Sequence, residues 1–117
     1  YLESLWLLQL CMTLDLLESR APGDALPPEV AAPGALVRER IIAPAAALIA
    51  QYDEGTSNRQ VWNCAALMAA ARVLGDDAHF DRIVGTQLEP LLSTAQTPRQ
   101  LTRMLKGAHS TATVFDR

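Results

Sequence analysis

Through residues 1–19, YLESLWLLQLCMTLDLLES, apolar side chains reach nearly every side of a helical wheel, and only Glu3, Ser4, Gln9, Thr13, Asp15 and Glu18 interrupt them. A helix that is apolar all round is expected to be enclosed by neighbours. No capping residue precedes its first turn, so this stretch reads as a helix cut in mid-element and the chain as a piece truncated at Tyr1. Residues 20–28, RAPGDALPP, gather the Pro, Gly and Asp that set turn dihedrals and read as a loop.

A second helix opens at Pro28 or Glu29, with Pro33-Gly34 expected to interrupt it and residues 35–52 as its secure stretch. Pro44 removes one helical hydrogen bond, which predicts a kink over residues 40–44. The stripe Leu36, Val37, Ile41, Leu48, Ile49 and Tyr52 should face the core, leaving Arg38, Glu39, Arg40 and Gln51 in water. Residues 53–56 end this helix, and Gly55 is the candidate for a left-handed residue past its C-cap.

The third helix is the most clearly bounded. Ser57 followed three residues later by Gln60 is a capping-box pattern, in which the hydroxyl takes the Gln60 amide and the Gln side chain returns to the Ser57 amide. The helix then runs over residues 58–74 and stops at Gly75, and the alanines of AALMAAARVL allow a neighbouring helix to approach closely. Gly75-Asp76-Asp77 suits an αα-hairpin, with an Asp to cap the next helix, which carries Phe80, Ile83, Val84, Leu88, Leu91 and Leu92. Gly85 and Pro90 are candidate breaks in it. Thr97-Pro98 opens a last short helix through Leu101, Met104 and Leu105, and residues 108–117 read as a disordered tail after a single helical domain, or fragment of one, over residues 1–107. The predicted fold class is all-α, built of antiparallel helical hairpins.

Composition narrows the chemistry. Of 117 residues, 50% are hydrophobic and 20% charged, with a net charge of −3, so no cationic field draws nucleic acid or anionic membranes. The longest near-apolar runs, residues 5–12 and 41–50, are about half the ~20 residues of a membrane-spanning helix. Lys106 is the one lysine, and the other basic residues are Arg, which hold planar carboxylates through paired hydrogen bonds. Cys11 and Cys64 are far apart, without the close Cys or His neighbours of a zinc site, and read as buried thiols. His79 and His109 likewise lack partner ligands, and Trp6 and Trp62 fall on apolar faces that make them core residues more than sugar platforms. No metal site, cofactor motif, phosphate loop or nucleophile elbow is present in the text.

The one dense polar cluster joins the second and third helices: Tyr52, Asp53, Glu54, Ser57, Asn58, Arg59, Gln60 and Asn63. Two readings of it stand side by side. A helix N-terminus with Arg59 and Asn63 in reach can hold a carboxylate or sulfate, making an anionic-sugar subsite. Alternatively Ser57 and Gln60 cap the helix, Asp53 or Glu54 pairs with Arg59, and Asn63 bonds loop carbonyls. Asp53 and Glu54 are adjacent, so they make a poor pair for glycoside hydrolysis, whose carboxyls face each other about 5–9.5 Å apart.

Residues 52–80, YDEGTSNRQVWNCAALMAAARVLGDDAHF, with the preceding RERIIAPAAALIAQYDEG, resemble the heparinase II/III-like polysaccharide lyases over about residues 36–84. The resemblance implies an α/α toroid of helical hairpins around a cleft for an acidic polysaccharide such as a glycosaminoglycan or alginate. In such lyases an Asn or similar group neutralises the uronate carboxylate and a Tyr or His removes the C5 proton. Many members carry Ser-Asn-Asn-His where this chain has Ser57-Asn58-Arg59-Gln60: Asn58 matches, Arg59 retains a charge for a carboxylate, and Gln60 lacks the basicity of a general base. The resemblance therefore implies Asn58, Arg59, Gln60 and Asn63 as substrate-binding residues. It implies no catalytic residue here, because the Asp-Gly turn and Tyr-His pair expected beyond Val84 do not occur and the text after Gly85 departs from the pattern. The alternative is a small helical interaction module that self-associates through its apolar first helix.

Overall fold

Ser4, Leu7, Cys11 and Leu14 recur at intervals of three and four residues, and that spacing winds Leu2–Leu17 into α1 with these four side chains on its buried face. The chain is known from a computed structural model that describes residues 1–20 and 23–93. It is all-α, with no strand among the described residues. After α1 come α2 (Pro28–Val37), α3 (Ala43–Ile49), α4 (Asn58–Leu74), α5 (Asp77–Ile83) and α6 (Glu89–Ser93). The predicted last short helix and the tail lie outside the described residues.

Helix α4 is the centre of the molecule, packed by α1, α3 and α5. Its Cys64, Ala66, Leu67 and Ala70 join Leu7, Cys11, Leu14, Ile42, Ile49, Ile83 and Leu91 in one core. Ala66 and Ala70 are almost completely buried in it. Ser4 bonds Asn63 near the starts of α1 and α4, while Cys11 and Met12 lie beside Ala69 and Arg72 further along, so the two helices run parallel. The intervening arm, α2 to α3, runs back between their ends, and α5 to α6 folds back along α4. The expected antiparallel hairpins are thus present.

Both returning arms are shaped by proline. An N–H at position 44 would bond the carbonyl of Arg40, but Pro44 has none and its ring crowds that carbonyl. The helix widens instead: Ala43 donates its N–H to Arg38 O, five residues back, and Arg38–Ile42 is π-helical. The same happens before Pro90, where Glu89 donates to Val84 O across the π-helical Val84–Leu88. One extra residue in a turn rotates the following stripe by about 100°. Ile42 is consequently fully buried where Ile41 was expected, and Ile41 is 40% exposed. Leu36 and Leu48, also assigned to the core from spacing, are exposed too.

Other expectations are corrected. Pro33-Gly34 does not interrupt α2, because the bond Pro33 forfeits is to the carbonyl of exposed Glu29 in the first turn, where a carbonyl without a helical partner is open to solvent. Arg38 is not left in water: both its terminal nitrogens bond the Glu18 carboxylate, and its Nε donates to Val73 O at 2.6 Å. Glu18 also raises the guanidinium pKa against the opposing effect of burial, so the charge is secure. Gly34 makes room for this pair, since a Cβ there would meet Glu18 Oε2 at 3.1 Å. The second helix ends at Ile49, short of Tyr52, and Gly55, though left-handed at φ +64°, sits in the loop where its N–H bonds Asp53 Oδ1.

Helix α1 is not enclosed among the described residues. Its outer face, carrying Leu2, Trp6, Met12 and Leu16, is open, and Trp6 is 52% exposed in place of the expected core position. Trp62 is half-buried. Cys11 and Cys64 are buried free thiols as read, and desolvation pushes the Cys11 thiol up to about 11 and raises Cys64 as well. No described helix is long and apolar enough to cross a membrane.

Candidate functional site

The start of α4 is built by local chemistry. Ser57 is extended (φ −132°, ψ 165°), and its Oγ accepts the Gln60 N–H at 3.4 Å, as a cap should. The reciprocal half of the expected capping box is replaced: Gln60 Oε1 accepts the N–H of Glu54 at 3.0 Å, not that of Ser57. Ser57 Oγ in turn donates to Glu54 O at 2.9 Å. These bonds fold the segment between α3 and α4 over the helix N-terminus. At the other end of α4, Gly75 is left-handed at φ +73° and Asp76 Oδ1 accepts the His79 N–H, both as the sequence predicts.

Glu54, more than the helix end, organises the polar cluster. Its Oε2 accepts from Asn63 Nδ2 at 3.1 Å, and its Oε1 lies 3.7 Å from Arg59 Nη1. Asn63 is fully buried, and its Oδ1 accepts the Ser4 hydroxyl of α1. The Arg59 guanidinium also lies 5.1 Å from the centre of the Tyr1 ring, in cation–π range. Asn58 is buried at the first turn. Of the four predicted substrate-binding residues, Arg59 and Asn63 therefore meet at Glu54 on the α1 side, with Asn63 bonding a carboxylate and a hydroxyl in place of loop carbonyls. A carboxylate approaching Arg59 competes with Glu54 for it.

Gln60 joins the same cluster, its Oε1 also accepting from Asn63 Nδ2 at 3.4 Å, and alone of the four it lines a cleft beside it. That cleft, of about 450 Å³, lies between residues 50–56, the first turn of α4 and the widened turn of the α5–α6 arm. Tyr52, Asp53 and Thr56 face Thr86, Gln87, Pro90 and Leu91 across it. Ser4, Thr86 and Gln87 went unnoticed in the sequence. Ser4 had a signal: a hydroxyl in register with Leu7, Cys11 and Leu14 is on a core face and needs a partner. Thr86 and Gln87 had none, since their placement depends on the π-helical turn.

No group of three or more His, Cys, Asp or Glu that could hold a metal occurs among the described residues. Comparison with known proteins finds no matching family model, no matching curated protein and no matching solved structure.

Proposed function

We propose that this chain is a hairpin segment of a heparinase II/III-like lyase toroid, which helps to hold a uronate-containing acidic polysaccharide and contributes no catalytic group. The observation that carries this reading is the open cleft where the lyase-like run, residues 52–63, meets the α5–α6 arm. Antiparallel hairpins with an open polar cleft at one end are what a toroid segment requires. The absence of catalysis follows from chemistry: Gln60 has no useful basicity, and Asp53 and Glu54 are adjacent and already bonded to Gly55 N–H and to Asn63. Affinity electrophoresis through heparan sulfate and alginate, followed by absorbance of unsaturated uronates, tests both halves. Retention without new absorbance is expected. Free migration through every polymer overturns the polysaccharide reading, and a rising absorbance overturns the inactivity.

A second reading, self-association through α1, is favoured by the outer face of that helix. Leu2, Trp6, Met12, Leu16 and Leu17 are each more than half exposed, and no charged residue lies at the centre of the stripe. A second copy suits a surface that presents no charge to match. Light scattering after size exclusion should give twice the chain mass for the intact protein and the single mass for Trp6→Glu; a monomeric intact protein removes this reading.

A further inference from the structure

The cleft beside Gln60 has a chemistry of its own. Among the described residues its lining includes one carboxylate, Asp53, and no Lys, Arg or His. Arg59, one residue from Gln60, is turned to the other side by Glu54 and the Tyr1 ring. The hydrogen-bonding capacity that remains is that of neutral amides and hydroxyls. Gln60 uses Oε1 for the Glu54 N–H and, at 3.4 Å, for the Asn63 amide, and its NH2 also donates toward the Cys64 sulfur, which leaves one NH2 hydrogen for the cleft. Gln87 accepts weakly from the Cys64 thiol at 4.0 Å through Oε1, again leaving an NH2. Asp53 bonds Gly55 N–H through Oδ1, so Oδ2 is available as an acceptor. Tyr52, half-buried against the core, and Leu91 supply apolar surface beside these groups.

We propose that this cleft is a subsite for an uncharged pyranose unit, the neutral sugar of a polysaccharide rather than its uronate. The inference rests on the polysaccharide reading above and names which unit this side of α4 takes. A pyranose ring offers a C–H face for Tyr52 and Leu91, hydroxyl donors for Asp53 and hydroxyl acceptors for the Gln60 and Gln87 amides. The volume falls within the roughly 300–1,000 Å³ of small-ligand pockets. A uronate in the same place would bring its carboxylate toward Asp53, with no cation among the described lining residues to offset the repulsion. Like-charge repulsion across such a partly exposed site weakens binding by about tenfold. The widened turn at Val84–Leu88 is what brings Thr86 and Gln87 to the cleft, so Pro90 shapes the subsite as well as the arm.

The test is an amide-detected NMR titration of the full chain with cellotriose, an N-acetylglucosamine trimer and a mannuronate trimer, beside retention on the long acidic polymers. Expected are shifts confined to Thr56, Thr86, Gln87 and the side-chain amides of Gln60 and Gln87 with at least one neutral trimer. The mannuronate trimer should bind about tenfold more weakly, and Asp53→Asn should narrow that gap. Gln87→Ala should weaken the neutral trimer by about 3–10-fold, the range for one neutral hydrogen bond, with the helical circular dichroism unchanged. Thr86→Val, which keeps shape and removes a hydroxyl, serves as the second variant should Gln87→Ala lose its fold. Preference for the uronate trimer, or shifts that avoid the cleft, overturns the subsite and leaves the polysaccharide reading standing. Retention on long polymers with no trimer bound does the same. Failure of every ligand overturns both.

Discussion

The two ends of the α1–α4 pair are each tied to a third segment of chain, by opposite means. At the starting end, α1 contributes Ser4, the inter-helix segment Glu54 and α4 Asn63. At the finishing end, α1 contributes Glu18, the returning arm Arg38 and α4 the carbonyl of Val73. The first tie has a neutral centre: Ser4 and Asn63 are both fully buried. The second is ionic and stays open, with side-chain exposures of 29% for Arg38 and 16% for Glu18. The difference follows from desolvation. A hydroxyl and an amide can be taken out of water if each finds a partner, whereas a charge is far costlier to bury and is better kept where water still reaches it. The polar cluster that drew attention as a site is thus mainly a structural clamp, the neutral counterpart of the ionic one, and the open chemistry lies beside it, in the cleft.

The sharpest way to break this comparison is at the buried end. Asn63→Ala leaves the Ser4 hydroxyl and one Glu54 oxygen without their amide, and it should lower stability by about 3 kcal/mol, the upper range for orphaned buried polar groups. Urea unfolding measures it. A loss under about 1 kcal/mol would mean that the end is wet and that the contrast is wrong. At the open end, Arg38→Met keeps the apolar stem and removes the bonds to Glu18 and Val73 O. Its expected loss is about 2 kcal/mol, discounted from the value of a fully buried pair because solvent shares the screening. Were it to exceed the loss for Asn63→Ala, the ionic clamp would be the stronger and the ordering of the two ends would reverse.

What could be read from the amino-acid text was what neighbours in sequence decide. Ser57, Gly75 and Asp76 bound their helices as predicted, because caps act within three or four residues. The burial of Cys11 and Cys64 followed from apolar context alone. Arg38 was misplaced because its partners, Glu18 and Val73, are 20 and 35 residues away and no local pattern announces them. Ile42 was missed for a different reason: a fixed 3.6-residue period cannot anticipate the residue inserted before Pro44. The recurrence at Pro90 suggests the remedy, since in both arms the widened turn begins six residues before the proline. At the candidate site, residue types were readable but facing was not. Arg59, Gln60 and Asn63 are close in sequence, yet the Glu54 carboxylate takes Arg59 and Asn63 while its N–H takes Gln60, which alone of the three also lines the cleft.

A smaller effect isolates the cap from the clamp. Ser57→Ala removes the acceptor of the Gln60 N–H and the donor to Glu54 O, and should cost about 1 kcal/mol, as N-cap substitutions do. Because Asn63 and Ser4 keep their bond, the loss should add to that of Ser4→Ala within about 0.5 kcal/mol. Strong coupling between the two would show that the cap and the buried end form one unit, extending the neutral clamp into the cleft wall.

Salt gives the finest discrimination between the two ends. In about 1 M sodium chloride the screening length falls to ~3 Å, so a partly open ion pair weakens while a neutral buried hydrogen bond does not. The penalty of Arg38→Met should therefore shrink by about 0.5 kcal/mol between low and high salt, and that of Asn63→Ala should hold. Comparing each variant with the parent chain at the same salt cancels the general effect of salt on folding. The buried end is not wholly free of charge, since Asn63 also donates to Glu54, whose other oxygen lies 3.7 Å from Arg59. If the Asn63→Ala penalty shrinks as well, then Asn63 acts mainly by fixing the Glu54 carboxylate, and the starting end is an ionic clamp with an amide inside it. An unchanged penalty assigns its strength to the Ser4–Asn63 bond, and leaves Arg59 and Glu54 as an outer pair that contributes little to the clamp.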